Sequence, residues 1–159
     1  MSAPGVQGGP RSHRVLVVHH TPSPTLQTML DAVVDGLAQA DVEAVVRPAL
    51  TCSVVDALEA DGYVLGGPVN LGMMAGALKH FFDQIYYPCL DATVGRPFGL
   101  YLHGDNDAAG ALRDIGKIVT GLRWTQVTDH VVTYGPLVNE QRDALVNLGG
   151  TVGVRSSER

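Results

Sequence analysis

Thr21, Ser23 and Thr25 occupy alternate positions of the segment His20-Thr21-Pro22-Ser23-Pro24-Thr25, which joins an apolar run, Val15-Leu16-Val17-Val18, to a helical pattern. Three hydroxyls in five positions exceed what one helix cap requires. Hydroxyls beside the free N–H groups of a first helical turn make an anion site, because the amides point outward and the helix dipole favours negative charge there. The plain alternative is an ordinary N-cap stiffened by prolines. The segment carries neither GxxxxGK[ST] nor GxGxxG, so it is neither a Walker loop nor a dinucleotide fingerprint. His19 and His20 are adjacent, and successive strand side chains face opposite sides, so they read as packing or rim residues rather than a metal pair.

Two later segments complete the chemistry-bearing set. Gly66-Gly67-Pro68-Val69-Asn70-Leu71-Gly72-Met73-Met74 reads as a glycine-rich loop. Its glycines permit tight turns and close approach to a flat ligand. Val69, Leu71 and Met73 suit one face of a planar ring, and Asn70 offers an amide to polar ring atoms. A tight turn with core-facing hydrophobes is the alternative. In His103-Gly104-Asp105-Asn106-Asp107, one of Asp105, Asn106 and Asp107 caps the next helix, or the loop amides reach the edge of the same ligand. No hydrolase triad is expected, since Ser23 lies in no G-x-S-x-G elbow.

Strands and helices must alternate to bring these loops together. Apolar runs predict strands over residues 14–18, 42–46, 62–65, 98–102 and 130–134. Helical periodicity predicts helices over 25–38, 53–60, from 74 onward, 108–122 and 137–148, the last stopped by Gly149-Gly150. Leu26, Leu30, Val33, Val34 and Leu37 form the buried stripe of the first helix. Right-handed crossovers then give an α/β fold of three layers around a five-stranded parallel sheet, order 2-1-3-4-5. The first strand is apolar on both faces and belongs in the centre; the second, with Glu43, Arg47 and Pro48, belongs at an edge. All strand-to-helix loops share the carboxyl edge, and ligands bind there where the strand order reverses.

The 159 residues suffice for one domain, read as 14–154, with a flexible tail over 1–13 and a polar end over 155–159. A net charge of -5 argues against a nucleic-acid partner. No apolar run reaches membrane-spanning length and the tail lacks a signal-peptide core, so a cytoplasmic protein without a membrane span is expected. Cys52 and Cys89 read as buried thiols. Tyr86-Tyr87-Pro88 is a candidate homodimer contact or a helix end packed at home.

Ala60-Asp61-Gly62-Tyr63-Val64-Leu65-Gly66-Gly67-Pro68-Val69-Asn70-Leu71-Gly72-Met73-Met74, followed by Lys79-His80-Phe81-Phe82-Asp83, resembles the pattern of the flavodoxin-like family, which includes flavodoxins and flavin-dependent NAD(P)H:quinone reductases. The resemblance extends over about residues 14–150. It implies a flavodoxin-like fold and FMN as cofactor. Thr21, Ser23 and the Thr25-Leu26 turn then meet the phosphate. Pro68, Val69, Asn70, Leu71 and Gly72 lie on one side of the flavin ring, with His103, Gly104, Asp105 and Asp107 on the other. The implied activity passes electrons from NAD(P)H through FMN to a quinone-like acceptor. The alternatives are a flavodoxin-type electron carrier serving a redox partner protein, and a cofactor-free interaction protein of the same fold.

The chain departs from the family pattern at three positions. Pro24 stands at the glycine of [ST]-x-T-G-x-T, Leu26 at its last threonine, and Asn70 at the usual aromatic. Pro22 and Pro24 have no N–H to donate, and each hydrogen bond lost to a charged phosphate is worth about 1.5–3 kcal/mol. The opening G-S-x-R-x-x-S of small FMN reductases is missing, and His19-His20 stands where a phosphorylated receiver domain needs acidic residues.

Overall fold

A strand that is apolar on both faces needs helices on both sides. The computed structural model describes residues 12–159 and shows how the chain meets this demand. In β1 (Arg14–His19), Val15 and Val17 face one helical layer, while Leu16 and Val18 face the other. The first layer is α1 (Pro24–Gln39) with α5 (Asn139–Ser157), and the second is α2 (Val54–Glu59), α3 (Gly76–Cys89) and α4 (Ala109–Leu122). Between them β1 pairs with β2 (Glu43–Pro48) and with β3 (Gly62–Asn70), and β3 pairs with β5 (Pro97–Gly104), all in parallel. This is the expected three-layer α/β/α architecture and strand order, with β2 at the exposed edge.

Several boundaries differ from the sequence reading; β5, for one, runs on through His103-Gly104, which was read as the start of the third loop. The third strand does not end at Leu65: β3 runs on through Gly66-Gly67-Pro68-Val69 to Asn70, and β4 (Met73–Met74) folds back antiparallel against its end. The expected loop is therefore a β-hairpin. The fifth sheet position is shared by two short strands, β6 (Thr125–Gln126) and β7 (Val131–Tyr134), both parallel to β5. The third helix begins at Gly76 rather than near Met74.

A further difference lies in α5, which does not stop at Gly149-Gly150 but continues to Ser157. A Cβ on Gly149 would collide with the Val33 carbonyl, and one on Gly36 with the Val146 carbonyl. These glycines let α1 and α5 approach backbone to backbone, so they serve packing rather than termination. Residues 155–157, read as part of a polar end, form the last turn. Ser156 is buried there, and its hydroxyl donates to the Val152 carbonyl at 2.7 Å. Of the tail read over 1–13, residues 1–11 lie outside the described residues. The His13 carbonyl accepts from Glu43 N at 2.9 Å and so joins the sheet edge.

Both cysteines are buried free thiols, and burial pushes Cys52 up to about 12. Tyr86 packs on the core with its hydroxyl beside Gly121, whereas Tyr87 is exposed. Among the described residues no helix is long and apolar enough to cross a membrane.

Candidate functional site

Parallel pairing delivers the ends of β1, β3, β5 and β7 to one edge of the sheet. His19 of β1 is level with Gly66 of β3, and His20 N donates to the Gly66 carbonyl at 3.0 Å. Pro68 is level with His103 of β5, and His103 with Thr133 of β7. The first segment thus starts beside the base of the hairpin, while the third starts beside its outgoing strand. The three predicted segments do converge on one edge.

The first segment is largely closed on itself. Ser23 is the N-cap of α1: its hydroxyl accepts from Leu26 N at 3.2 Å and its carbonyl from Gln27 N at 3.0 Å. Thr21 Oγ1 shares a 2.7 Å hydrogen bond with His19 Nδ1. Pro24 at the first helical position has no N–H. Among the described residues, the Thr25 amide and hydroxyl are left without a partner in this turn. Burial, with the neighbouring His20 charge, lowers the His19 pKa and keeps its ring neutral. With the proton on Nδ1, His19 donates to Thr21 and leaves the threonine O–H free for an acceptor. No acidic side chain lies in the first turn of α1 to repel an anion.

The second segment projects outward. Gly66, Gly67 and Pro68 are buried strand residues, Val69 is half-buried and Asn70 exposed. The two-residue turn holds Leu71 at φ 54° and Gly72 at φ 74°, the left-handed pair of a type I′ hairpin. Leu71 is 93% exposed and Met73 54% exposed. The tip rests on the first turn of α4, where a Cβ on Gly110 would collide with the Gly72 carbonyl oxygen.

The third segment divides its residues between two tasks. Asp107 Oδ1 accepts from Ala109 N at 2.9 Å at the start of α4, while Asp105 and Asn106 are exposed. His103 turns toward α1 and α5, and its Nδ1 lies 2.8 Å from Thr133 Oγ1, which in turn contacts Met29 Sδ at 3.6 Å. Gly104 is buried, because a neighbour from each side reaches over it. A Cβ there would lie 3.1 Å from Val69 Cβ and 3.7 Å from Tyr134 Cε1.

Tyr134 was missed by the sequence reading. It pairs with Gly104, falls on the same sheet face as Val132, and remains 41% exposed at the edge that the three segments share. Its parity with Val132 at the carboxyl end of the last strand was the available signal. It places an aromatic ring at the edge where Asn70 stands in place of the usual aromatic. Among the described residues His, Cys, Asp and Glu form no group of three that could hold a metal.

No protein-family model and no curated protein matches the sequence. Solved structures match its fold. A flavodoxin from the domain Archaea aligns with TM-score 0.79 at 14% identity, over 91% of this chain and 99% of its own. A flavodoxin, WrbA-like protein from Agrobacterium tumefaciens aligns with TM-score 0.73 at 16% identity, over 94% and 100%. The flavodiiron protein from Giardia intestinalis aligns with TM-score 0.80 at 16% identity, over 91% of this chain but only 36% of its own. At such identities the likeness is one of fold, and the fold is flavodoxin-like.

Proposed function

Given a flavodoxin-like fold, we propose that the protein binds FMN at the carboxyl edge of its sheet and serves as an electron-transfer protein of the flavodoxin type. The observation that carries this reading is the hairpin tip. A leucine at left-handed φ is unfavourable, and so is its nearly complete exposure to water. With Met73 also exposed in the same hairpin, Leu71 gives an apolar tip that a ligand or partner would cover.

The ring half of the edge fits the cofactor. Asn70, Leu71 and Gly72 would meet the isoalloxazine on one side, the exposed Asp105 loop would lie near its rim, and Tyr134 beside Gly104 would offer an aromatic face. The phosphate half is leaner. Thr21, positioned by His19, and the free Thr25 amide and hydroxyl would meet the phosphate, while Ser23 remains the cap. Bound FMN supplies the redox chemistry. The chain's residues hold and shield it, and none needs to move a proton.

Full-length likeness to single-domain flavodoxins supports an electron carrier ahead of the finer reading, transfer from NAD(P)H to a quinone. The engaged Ser23 cap favours a second reading, a cofactor-free binding protein, and one experiment separates the three. The purified protein is mixed with FMN, freed of unbound flavin and read for absorbance near ~450 nm. Retained flavin that a chemical reductant reduces and NADPH does not supports the carrier. Reduction by NADPH followed by quinone turnover supports the reductase. No retained flavin overturns both.

A further inference from the structure

β2 is the outer strand of the sheet, with only β1 beside it among the described residues. Glu43 N and Ala49 N donate inward, to the carbonyls of His13 and His19 at 2.9 and 2.7 Å. Backbone groups alternate along a strand, so the N–H and C=O of Ala44 and Val46 point away from β1. Among the described residues three of these four groups have no hydrogen-bond partner. The fourth, the Val46 carbonyl, accepts from the guanidinium of the adjacent Arg47 at 3.2 Å. The middle of the strand, Ala44-Val45-Val46, is apolar and only half-buried. An unpaired edge of this kind is a template for another strand.

Charges on an edge strand ordinarily keep other strands away. Here they are placed symmetrically and with opposite sign. Glu43, Val45 and Arg47 share one face of β2, with the acid two residues before Val45 and the base two residues after it. Glu43 Oε2 meets Arg14 Nε at 2.9 Å, and Arg47 Nε lies 3.6 Å from Asp56 Oδ2. Each charge thus has a partner in its own chain, yet both side chains remain 48% exposed. Two apolar residues flank the same edge. Leu50, just beyond the strand, is exposed. Val55 is exposed too, and stands one turn from Glu59 on α2, whose carboxylate reaches Arg14 at 3.0 Å.

We propose that β2 is a self-association edge, at which a second copy of this chain adds its own β2 antiparallel, about a two-fold axis through Val45. In that register Ala44 faces Val46 of the second copy and Val46 faces Ala44, and the two pairs exchange four N–H···O bonds through the outward groups. Val45 faces its own counterpart. Glu43 faces Arg47 of the second copy, twice by symmetry, at the non-hydrogen-bonded sites where side chains lie closest. Arg47 gives up the Val46 carbonyl to the incoming Ala44 N–H and turns to the glutamate. A slip of two residues either way sets Glu43 opposite Val45 or Ala49 and breaks both ion pairs. Pro48, which has no N–H, lies beyond the four bonds. A two-fold interface closes at two copies. It uses no residue of the proposed FMN site and does not depend on that reading.

Sedimentation equilibrium of the full-length protein, from about 1 μM to about 500 μM, should show a monomer–dimer equilibrium. Ala44→Pro removes an outward N–H and spares the ladder to β1, so it should abolish the dimer and leave the melting temperature of the dilute protein nearly unchanged. Glu43→Arg and Arg47→Glu should each weaken association about tenfold or more, because symmetry creates two like-charge contacts at once. An equimolar mixture of these two variants should restore a dimer containing one copy of each, which keeps the test valid if the proline variant fails to fold. Val45→Cys, oxidised with diamide, should cross-link to its counterpart, since Cα atoms at such a site lie within disulfide reach and Cys52 and Cys89 are buried. A wild-type protein that stays monomeric throughout, or a dimer that survives Ala44→Pro, overturns the edge. A mixture that fails to associate, or a Val45→Cys protein that fails to cross-link, overturns the register.

Discussion

The two segments that flank the candidate site reach opposite solutions. The segment after β1 directs its donors inward: Ser23 caps α1, Thr21 meets His19, and proline removes another amide. The hairpin after β3 directs its residues outward, with Leu71 in a left-handed turn and almost fully exposed. The first arrangement lowers the free energy of the folded chain by itself. The second adds nothing to folding by itself and leaves an apolar tip, Leu71 with Met73, uncovered. The difference bears on where recognition would reside under the proposed function: in the hairpin and Tyr134, with the hydroxyl segment contributing chiefly by starting the helix.

The strongest way to break this comparison is to remove the hairpin's support. Gly110→Ala places a methyl against the Gly72 carbonyl and must push the tip away from α4. Overpacking of this kind costs about 1–3 kcal/mol, and the same displacement should weaken FMN retention severely. Thermal unfolding and an FMN titration on the same sample check both. A variant with full stability and full affinity would show that the tip's position is irrelevant.

Ser23→Ala tests the other side. Loss of the cap should destabilise the protein by about 1 kcal/mol, and Ser23→Gly by only a few tenths. Because the hydroxyl already accepts from Leu26 N, its removal frees that amide, and FMN affinity is expected to hold or rise. A steep loss of affinity without loss of stability would assign Ser23 to the phosphate after all. Leu71→Asn sharpens the contrast. Asn-Gly is the preferred pair for this turn, so stability should rise by about 0.5–1 kcal/mol while affinity for the flavin falls. Denaturant melts paired with titrations would show the two quantities moving in opposite directions.

The same contrast explains what the sequence makes legible. Val15 to Val18 and Phe98 to Leu102 are apolar on both faces, and that alone demands a parallel sheet between two helical layers, from which the shared edge follows. The hairpin was hidden because Gly66, Gly67 and Pro68 look like a break in the strand. Gly66 is there because the Tyr101 ring lies over it, a tertiary reason that no local pattern reveals. Gly149 misled in the same way, since its partner is the Val33 carbonyl of a distant helix. Tyr134 escaped notice because its place over Gly104 follows from register, which depends on where two short strands break. Hydroxyl spacing marked a segment that does lie at the shared edge, but it could not show that Ser23 and Thr21 were already engaged.

The smallest effect concerns His19 of β1, whose ring is hydrogen-bonded to Thr21 of the inward segment. Burial and the adjacent His20 lower its pKa in the folded protein, so the unfolded chain takes up a proton first as the solution is acidified. The stability linked to this histidine is therefore fully present above its ordinary value of 6.5 and declines as pH falls below it. His130, also lowered by burial, adds a loss of the same sign. Melting temperatures taken at about pH 7.5 and about pH 5.5 should show a drop in the wild-type protein. His19→Asn, which keeps a donor near Thr21 but has no titrating ring, should show a smaller one. If both proteins lose the same amount, the His19–Thr21 pair plays no part in holding the segment closed. The inward half of the comparison would then rest on the Ser23 cap alone.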